Sequence, residues 1–258
     1  MDLELAGKVM LITGGTDGLG LALAERLATE GASVAVCGRD EDRLRVAERV
    51  LRHAGADVLA LRADVARAAD VAAFVDAAVA RWDRIDGVVH NAGRSSAGTI
   101  DGLDDAAWDE DFQLKLMGAV RLTRRALPQL RAGRGVVLFT LAVAAKAPGG
   151  GSEPSSVSRA AGMALMKALS KELAPDGIRV NAVLIGLVES GQWVRMAAGS
   201  GTELEAFYAR FARDAGVPLG RFGRADEFGD LAAYLLSARA SYVTGCAVNL
   251  DGGLSPAV

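Results

Sequence analysis

Thr13-Gly14-Gly15-Thr16-Asp17-Gly18-Leu19-Gly20 decides how the rest of this 258-residue chain is read. The stretch follows an apolar run, Val9-Met10-Leu11-Ile12, and precedes an apolar-periodic run that starts at Leu21. That order reads as strand, glycine turn, helix. Glycine is the residue that takes positive φ without strain and lets a ligand approach the main chain. The first turn of the following helix leaves N–H groups unpaired and carries partial positive charge, which suits a pyrophosphate. The spacing Gly14, Gly18, Gly20 differs from the commonest G-x-G-x-x-G fingerprint. Taken alone, it fits a structural turn as well as a phosphate cradle.

Working outward, strands and helices alternate. Apolar runs at Val9–Ile12, Ser33–Cys37, Val58–Arg62, Ile85–His90, Val136–Leu141, Arg179–Ile185 and Ala247–Leu250 read as strands. Between them, helical periodicity predicts Leu21–Glu30, Arg43–Ala54, a helix from Val71 to Trp82, one long helix over Asp105–Leu130, then Ser156–Leu173, Glu203–Ala215 and Asp226–Leu236. Such alternation implies a parallel sheet covered on both faces, a doubly wound α/β fold, in a single domain over residues 1–258. Hydrophobic residues at 51% and charged residues at 24% are ordinary for a globular chain, and a net charge of −3 implies no broad attraction to nucleic acid or anionic membrane. Two distant cysteines, Cys37 and Cys246, argue against a disulfide framework. An acidic start without an apolar run, and the absence of any membrane-length apolar stretch, place the protein in the cytoplasm. No metal-ligand pattern is present.

Five motifs agree in order and spacing: Thr13-Gly14-x-x-x-Gly18-x-Gly20, Asp64-Val65, Asn91-Ala92-Gly93, Arg179-Val180-Asn181-Ala182, and Val243-Thr244-Gly245 with Leu250-Asp251-Gly252-Gly253. In these the chain resembles the short-chain dehydrogenase/reductase family over nearly its full length. The resemblance implies that Gly14, Thr16, Gly18, Leu19 and Gly20 hold a dinucleotide pyrophosphate. It further implies that Asp64 and Val65 border the adenine, that Asn91 and Gly93 support the ribose, and that Gly186 and Val188 lie by the nicotinamide. Asn91 and Gly93 also fit a plain turn after a buried strand. The segment at about 187–220 would be a substrate lid, with Gln192, Trp193, Arg195, Phe207, Tyr208 and Phe211 either lining the substrate or packing within the lid.

Cofactor choice is set just after the second strand, where a carboxylate selects a ribose 2′-hydroxyl and an arginine a 2′-phosphate. The carboxylate position falls on Gly38, and Arg39 follows it. A guanidinium forks onto phosphate, so Arg39 favours NADP(H) over NAD(H). Against this stands Asp17, an acid where relatives carry a second base; Arg39 also fits a solvated residue ahead of a helix.

The family's chemistry rests on Asn, Ser, Tyr and Lys. By the same alignment, fixed by Lys167-Ala168-Leu169 and Lys171-Glu172-Leu173, the tyrosine position falls on Ser155 and the lysine position on Arg159. The serine position falls on Leu141 or Ala142, with Thr140 the nearest hydroxyl, and the asparagine position on Lys115. An alkyl hydroxyl is a far weaker acid than a phenol (pKa ~10), and arginine stays charged at working pH. Lys115 becomes an acid or base if it faces a cleft, or is an ordinary exposed lysine if it does not. Two functions follow. One is an NADP(H)-dependent oxidoreductase with a non-standard proton donor, acting on a carbonyl or activated double bond of a small molecule. The other is a redox-silent homologue that binds nucleotide or ligand as a scaffold, or works as a cyclase or isomerase. Small residues on the Ser156–Leu173 helix (Ala160, Ala161, Gly162, Ala164, Ala168) and the family habit suggest a homo-oligomer, dimer or tetramer.

Overall fold

The structure is a computed structural model that describes residues 1–258. Seven parallel strands run β1 Val9–Thr13, β2 Ser33–Gly38, β3 Val58–Arg62, β4 Gly87–His90, β5 Val136–Ala142, β6 Arg179–Ile185 and β7 Ala247–Leu250. They form one sheet in the order β3-β2-β1-β4-β5-β6-β7. Alternate side chains of a strand face opposite sides of a sheet. Accordingly Leu11 joins a core with Phe74, Leu122 and Phe139, while its neighbour Ile12 joins a second core with Leu23, Leu27 and Phe228. The first core lies under α3 Ala68–Trp82, α5 Gly118–Gly133 and α6 Ser155–Glu172, the second under α1 Gly18–Thr29, α2 Glu41–His53 and α9 Ala225–Leu236. Winding reverses between β1 and β4, and in such sheets the crevice outside the carboxyl ends of the strands at that point takes the ligand.

Three features depart from the reading of the sequence. The long helix expected over Asp105–Leu130 is α4 Asp105–Phe112, a five-residue π-helical turn at Gln113–Met117, and α5. An additional helix, α7 Gly191–Gly199, precedes α8 Leu204–Asp214, where the sequence predicts a helix over Glu203–Ala215 alone. Gly162, one of the small residues on which the expected oligomer rests, is buried against Leu141 within the chain, where a Cβ would stand 3.1 Å from Leu141 Cδ2. No helix is long and apolar enough to cross a membrane.

Side chains tie the sheet's functional edge together. Thr13 Oγ1 donates to Val89 O (3.1 Å) and accepts from the amides of Asn91 and Ala92 (3.1 Å each), while Asn91 Nδ2 donates to Thr13 O (3.1 Å) and Gly14 O (3.0 Å). The Arg179-Val180-Asn181-Ala182 motif does the same at the other end. Asn181 has no solvent exposure; its Nδ2 donates to Val243 O (2.8 Å), and its Oδ1 accepts from the Cys246 amide (3.1 Å). Arg179 adds bonds to Leu235 O and Ser237 O. A buried polar group left without its partner incurs its full desolvation penalty, typically ~1–3 kcal/mol. Asn181→Ala strips both partners at once and is expected to lower folding stability by about that amount, read as a lower urea midpoint at an unchanged slope.

Candidate active site

Four strand ends build the site: the β1–α1 turn, His90–Gly93 after β4, Thr140–Ala142 on β5, and Ile185–Gly186 after β6. In the first turn, Gly14 and Gly18 have φ of +65° and +51°. A Cβ on Gly14 would lie 2.9 Å from Ala92 Cα, and one on Gly20 would strike Gly14 O and the Asn91 amide. These glycines let three backbone segments pack around one concave edge. Leu19, Val65 and Val188 have side chains at most 8% exposed and contribute to the cores, so only their main chains are available to a ligand. Thr16 packs against Gly38, where a Cβ would stand 3.0 Å from its methyl group. Gly186 lies against Asp251, with no room for a side chain.

Asp17 is not the isolated repulsive charge that its sequence position suggests. Its carboxylate accepts from the Gly18 amide (2.7 Å) at the start of α1 and lies 3.5 Å from Arg43 Nη1 and 4.0 Å from Arg195 Nη1. Two cations therefore offset the acid, and Arg43 was not evident in the sequence as part of the site. Arg39 is 61% exposed and meets Asp64 only at 3.9 Å, an ion pair of a class worth little. Asp64 itself accepts from the Ala66 amide (3.0 Å). Arg62 donates to Arg39 O (3.2 Å), which adds a second guanidinium to this corner.

Three of the four positions aligned with the family's catalytic residues, Lys115, Ser155 and Arg159, bring polar side chains together, while the serine position on Leu141 or Ala142 is apolar. Lys115 sits in the middle of the π-helical turn, and an extra residue in such a turn shifts the helical register, as π-bulges at functional sites do. Its side chain is 5% exposed. Lys115 Nζ donates to Ser155 Oγ (2.6 Å) and to Asp111 Oδ1 at very close range. Asp111 has no side-chain exposure, and its other oxygen accepts from Ser158 Oγ at 2.5 Å. Ser155 Oγ also accepts from the Ser96 amide (3.0 Å). Arg159 Nη1 donates to Thr140 O (3.0 Å), and its Nη2 lies over Gly93, 3.4 Å from where a Cβ would be. Asp111 and Ser158 were not legible as site residues in the sequence.

Burial pulls the Lys115 ammonium down from 10.5 to about 8, assisted by repulsion from Arg159 and Arg94 and opposed by Asp111. Burial likewise lowers Arg159, with Asp111 opposing. His90 is neutral, pushed down to about 3 by burial, and bonds Thr123 Oγ1 at 2.8 Å. Burial raises Cys37 to about 12, which removes it as a nucleophile. Beneath Lys115 and Arg159 lies a cavity of about 20 Å³, lined also by Thr13, His90, Thr140 and Ser158. Thr140 Oγ1 is buried there without a partner. Such a space admits one water, which a lone hydroxyl favours. The proposed lid residues divide. Trp193, Tyr208, Phe211 and Phe222 pack on one another with centroids 4.5–6.2 Å apart, and Phe207 is 4% exposed. These rings form a small core of the segment itself, while Arg195 turns toward Asp17.

The family model described as Enoyl-(Acyl carrier protein) reductase matches residues 14–255. A protein of Streptomyces virginiae described as "Monensin polyketide synthase putative ketoacyl reductase" is 39% identical over 97% of this chain and 98% of its own length. The NADPH-bound structure of a short-chain oxidoreductase from Pseudomonas aeruginosa PAO1, described as containing an atypical catalytic center, is 37% identical with a TM-score of 0.92, covering 97% of this chain and 98% of that one. L-Sorbose reductase from Gluconobacter frateurii, complexed with NADPH and L-sorbose, is 34% identical with a TM-score of 0.95 over 100% of both chains. With the matched seven-stranded architecture and the ordered motifs, these findings show that the chain belongs to the short-chain dehydrogenase/reductase family.

Proposed function

We propose that the protein is an NADP(H)-dependent oxidoreductase with a non-standard active site, reducing a carbonyl or an activated double bond of a small molecule. One observation carries the reading: a lysine with 5% exposure, gripped by a carboxylate and touching a serine hydroxyl, at the sheet's switch point. Reductase activity and NADPH in similar proteins support it. The chain's own residues fit the dinucleotide. Gly14 and Gly20 let the glycine turn pack directly on Asn91 and Ala92, which leaves the start of α1 uncovered by side chains at these two positions. The Leu19 and Gly20 amides lie in the first turn of α1, where N–H groups lack intrahelical partners. Arg39 is free to fork onto a 2′-phosphate. The bound nicotinamide supplies the hydride, and the protein supplies place and proton.

Arg159 remains a cation and holds a ribose hydroxyl or a substrate anion. Ser155 Oγ accepts from both Lys115 and the Ser96 amide, which leaves its own proton to donate outward. In this reading Ser155 hands a proton to the substrate oxygen and the Lys115 ammonium replaces it. Asp111 holds Lys115 in register and keeps it charged below about pH 8. The segment at 187–220 closes over the substrate, anchored to the glycine turn through Asp17 and Arg195. On α6, Val157, Ala164 and Ala168 are exposed at helical spacing, which supports a homo-oligomer through that face.

Because the protonated lysine is the active form, and its pKa in the folded protein is about 8, kcat/KM for NADPH-dependent reduction is expected to be flat below that pH and to fall as pH rises through it. Lys115→Gln should lose ~10²–10⁴-fold and flatten that limb. A rate unaffected by the substitution contradicts the role of Lys115. If NADPH binds but no activated ketone or enone consumes it, the redox-silent alternative takes its place.

Arg39→Ala should weaken NADPH binding by about tenfold, the equivalent of one exposed charge-assisted bond, and leave NADH nearly unchanged. Fluorescence titration measures both. Equal affinity of the parent protein for the two dinucleotides overturns the NADP assignment.

A further inference from the structure

Ser155, Lys115 and Asp111 satisfy the geometry of an activated nucleophile independently of any dinucleotide. A nucleophile needs a base within hydrogen-bond reach and a third group that orients the base. Ser155 Oγ lies 2.6 Å from Lys115 Nζ, and Asp111 grips the same nitrogen. Asp111 is itself fixed by Ser158 Oγ at 2.5 Å. Ser155 is the first residue of α6, so its oxygen sits at the positive end of a helix of 18 residues. Arg159 follows one turn later on the same face, with a single backbone acceptor, Thr140 O, and other N–H groups free for an oxyanion.

We propose that Ser155, Lys115 and Asp111 form an acyl-transfer centre that takes the acyl group of a small thioester or activated ester onto Ser155 Oγ. In the neutral state of Lys115 the 2.6 Å contact reverses direction, and the serine hydroxyl donates to the amine. A bond forms between Ser155 Oγ and the acyl carbon, the carbonyl π pair moves to oxygen, and the serine proton passes to Lys115 Nζ. Collapse re-forms the carbonyl and breaks the bond to the leaving thiolate or phenolate, which takes the proton from Lys115. Water then attacks the acyl-serine by the same route, releasing a carboxylic acid and restoring Ser155. No atom changes oxidation state overall. The leaving group sets the substrate class: thiols (pKa about 8.5) and phenols (about 10) depart with the help of a weak acid, whereas alkoxides and amines do not.

The test uses the whole protein without dinucleotide, mixed with p-nitrophenyl acetate. The expected result is a burst of about one nitrophenolate per chain, with one acetyl group on the peptide carrying Ser155. The burst rate rises with pH through about 8, the opposite of the reductive limb, because the neutral lysine is now the active form. Ser155→Ala abolishes the burst, and Lys115→Gln slows it by ~10²-fold or more. The Ser155→Cys variant retains a nucleophile at the same place and is labelled there. An acetyl group found on Lys115 Nζ or elsewhere, an equal burst from Ser155→Ala, or an unlabelled Ser155→Cys variant overturns the proposal. The outcome is separable from reduction, since failure of NADPH turnover leaves the burst intact and failure of the burst leaves NADPH turnover intact.

Discussion

A carboxylate withdrawn from water is stabilised by a hydrogen-bonding nitrogen beside it, and Asp111, with no exposed side-chain surface, holds Lys115. Much of the site's geometry follows from that pairing. The lysine cannot swing to solvent without stranding the carboxylate, so its ammonium is held against Ser155 at the start of α6. Ser158, one turn along the same helix, closes the arrangement by donating to the second carboxylate oxygen. Two helices from separate crossovers are thereby pinned at one point on the carboxyl edge of the sheet.

The pair also sets the chemistry by competition. Burial and the nearby guanidinium of Arg159 favour the neutral amine, and Asp111 favours the ammonium. The balance lands near neutral pH, where a proton donor and a proton acceptor are both usable. A phenol is not needed for proton transfer if a lysine is tuned this way and a serine extends its reach. Arg159 contributes charge without taking part in proton exchange, which suits anchoring.

The fold was legible because its signals are local. Glycine turns, short apolar runs and Asn-Ala-Gly after a buried strand each have a backbone cause, now visible in Gly14 and Gly20 packing on the β4 turn. Asn181 and Arg179 explain why their motif accompanies the fold, since both hold the segment before β7 in place. Asp111 was not legible. It ends the run Asp109-Glu110-Asp111, and the Ser158 hydroxyl that covers it lies on α6, 47 residues away in sequence. Helix α7 escaped because glycines at 191 and 199 bound it and its partners are aromatic rings from α8 and beyond. From sequence alone Asp17 is a repulsive charge, because its compensating arginines, Arg43 and Arg195, are distant in the chain.

The direct test of this account is the protonation of one side chain. Besides Lys115 the chain has only Lys8, Lys146, Lys167 and Lys171, so a protein carrying isotope-labelled lysine gives few side-chain signals to follow by NMR across pH. One signal, missing in Lys115→Gln, is expected to titrate near pH 8 and to move lower in Asp111→Asn as the stabilising carboxylate charge is removed. A Lys115 signal that titrates near the ordinary 10.5, and does not respond to Asp111→Asn, contradicts it.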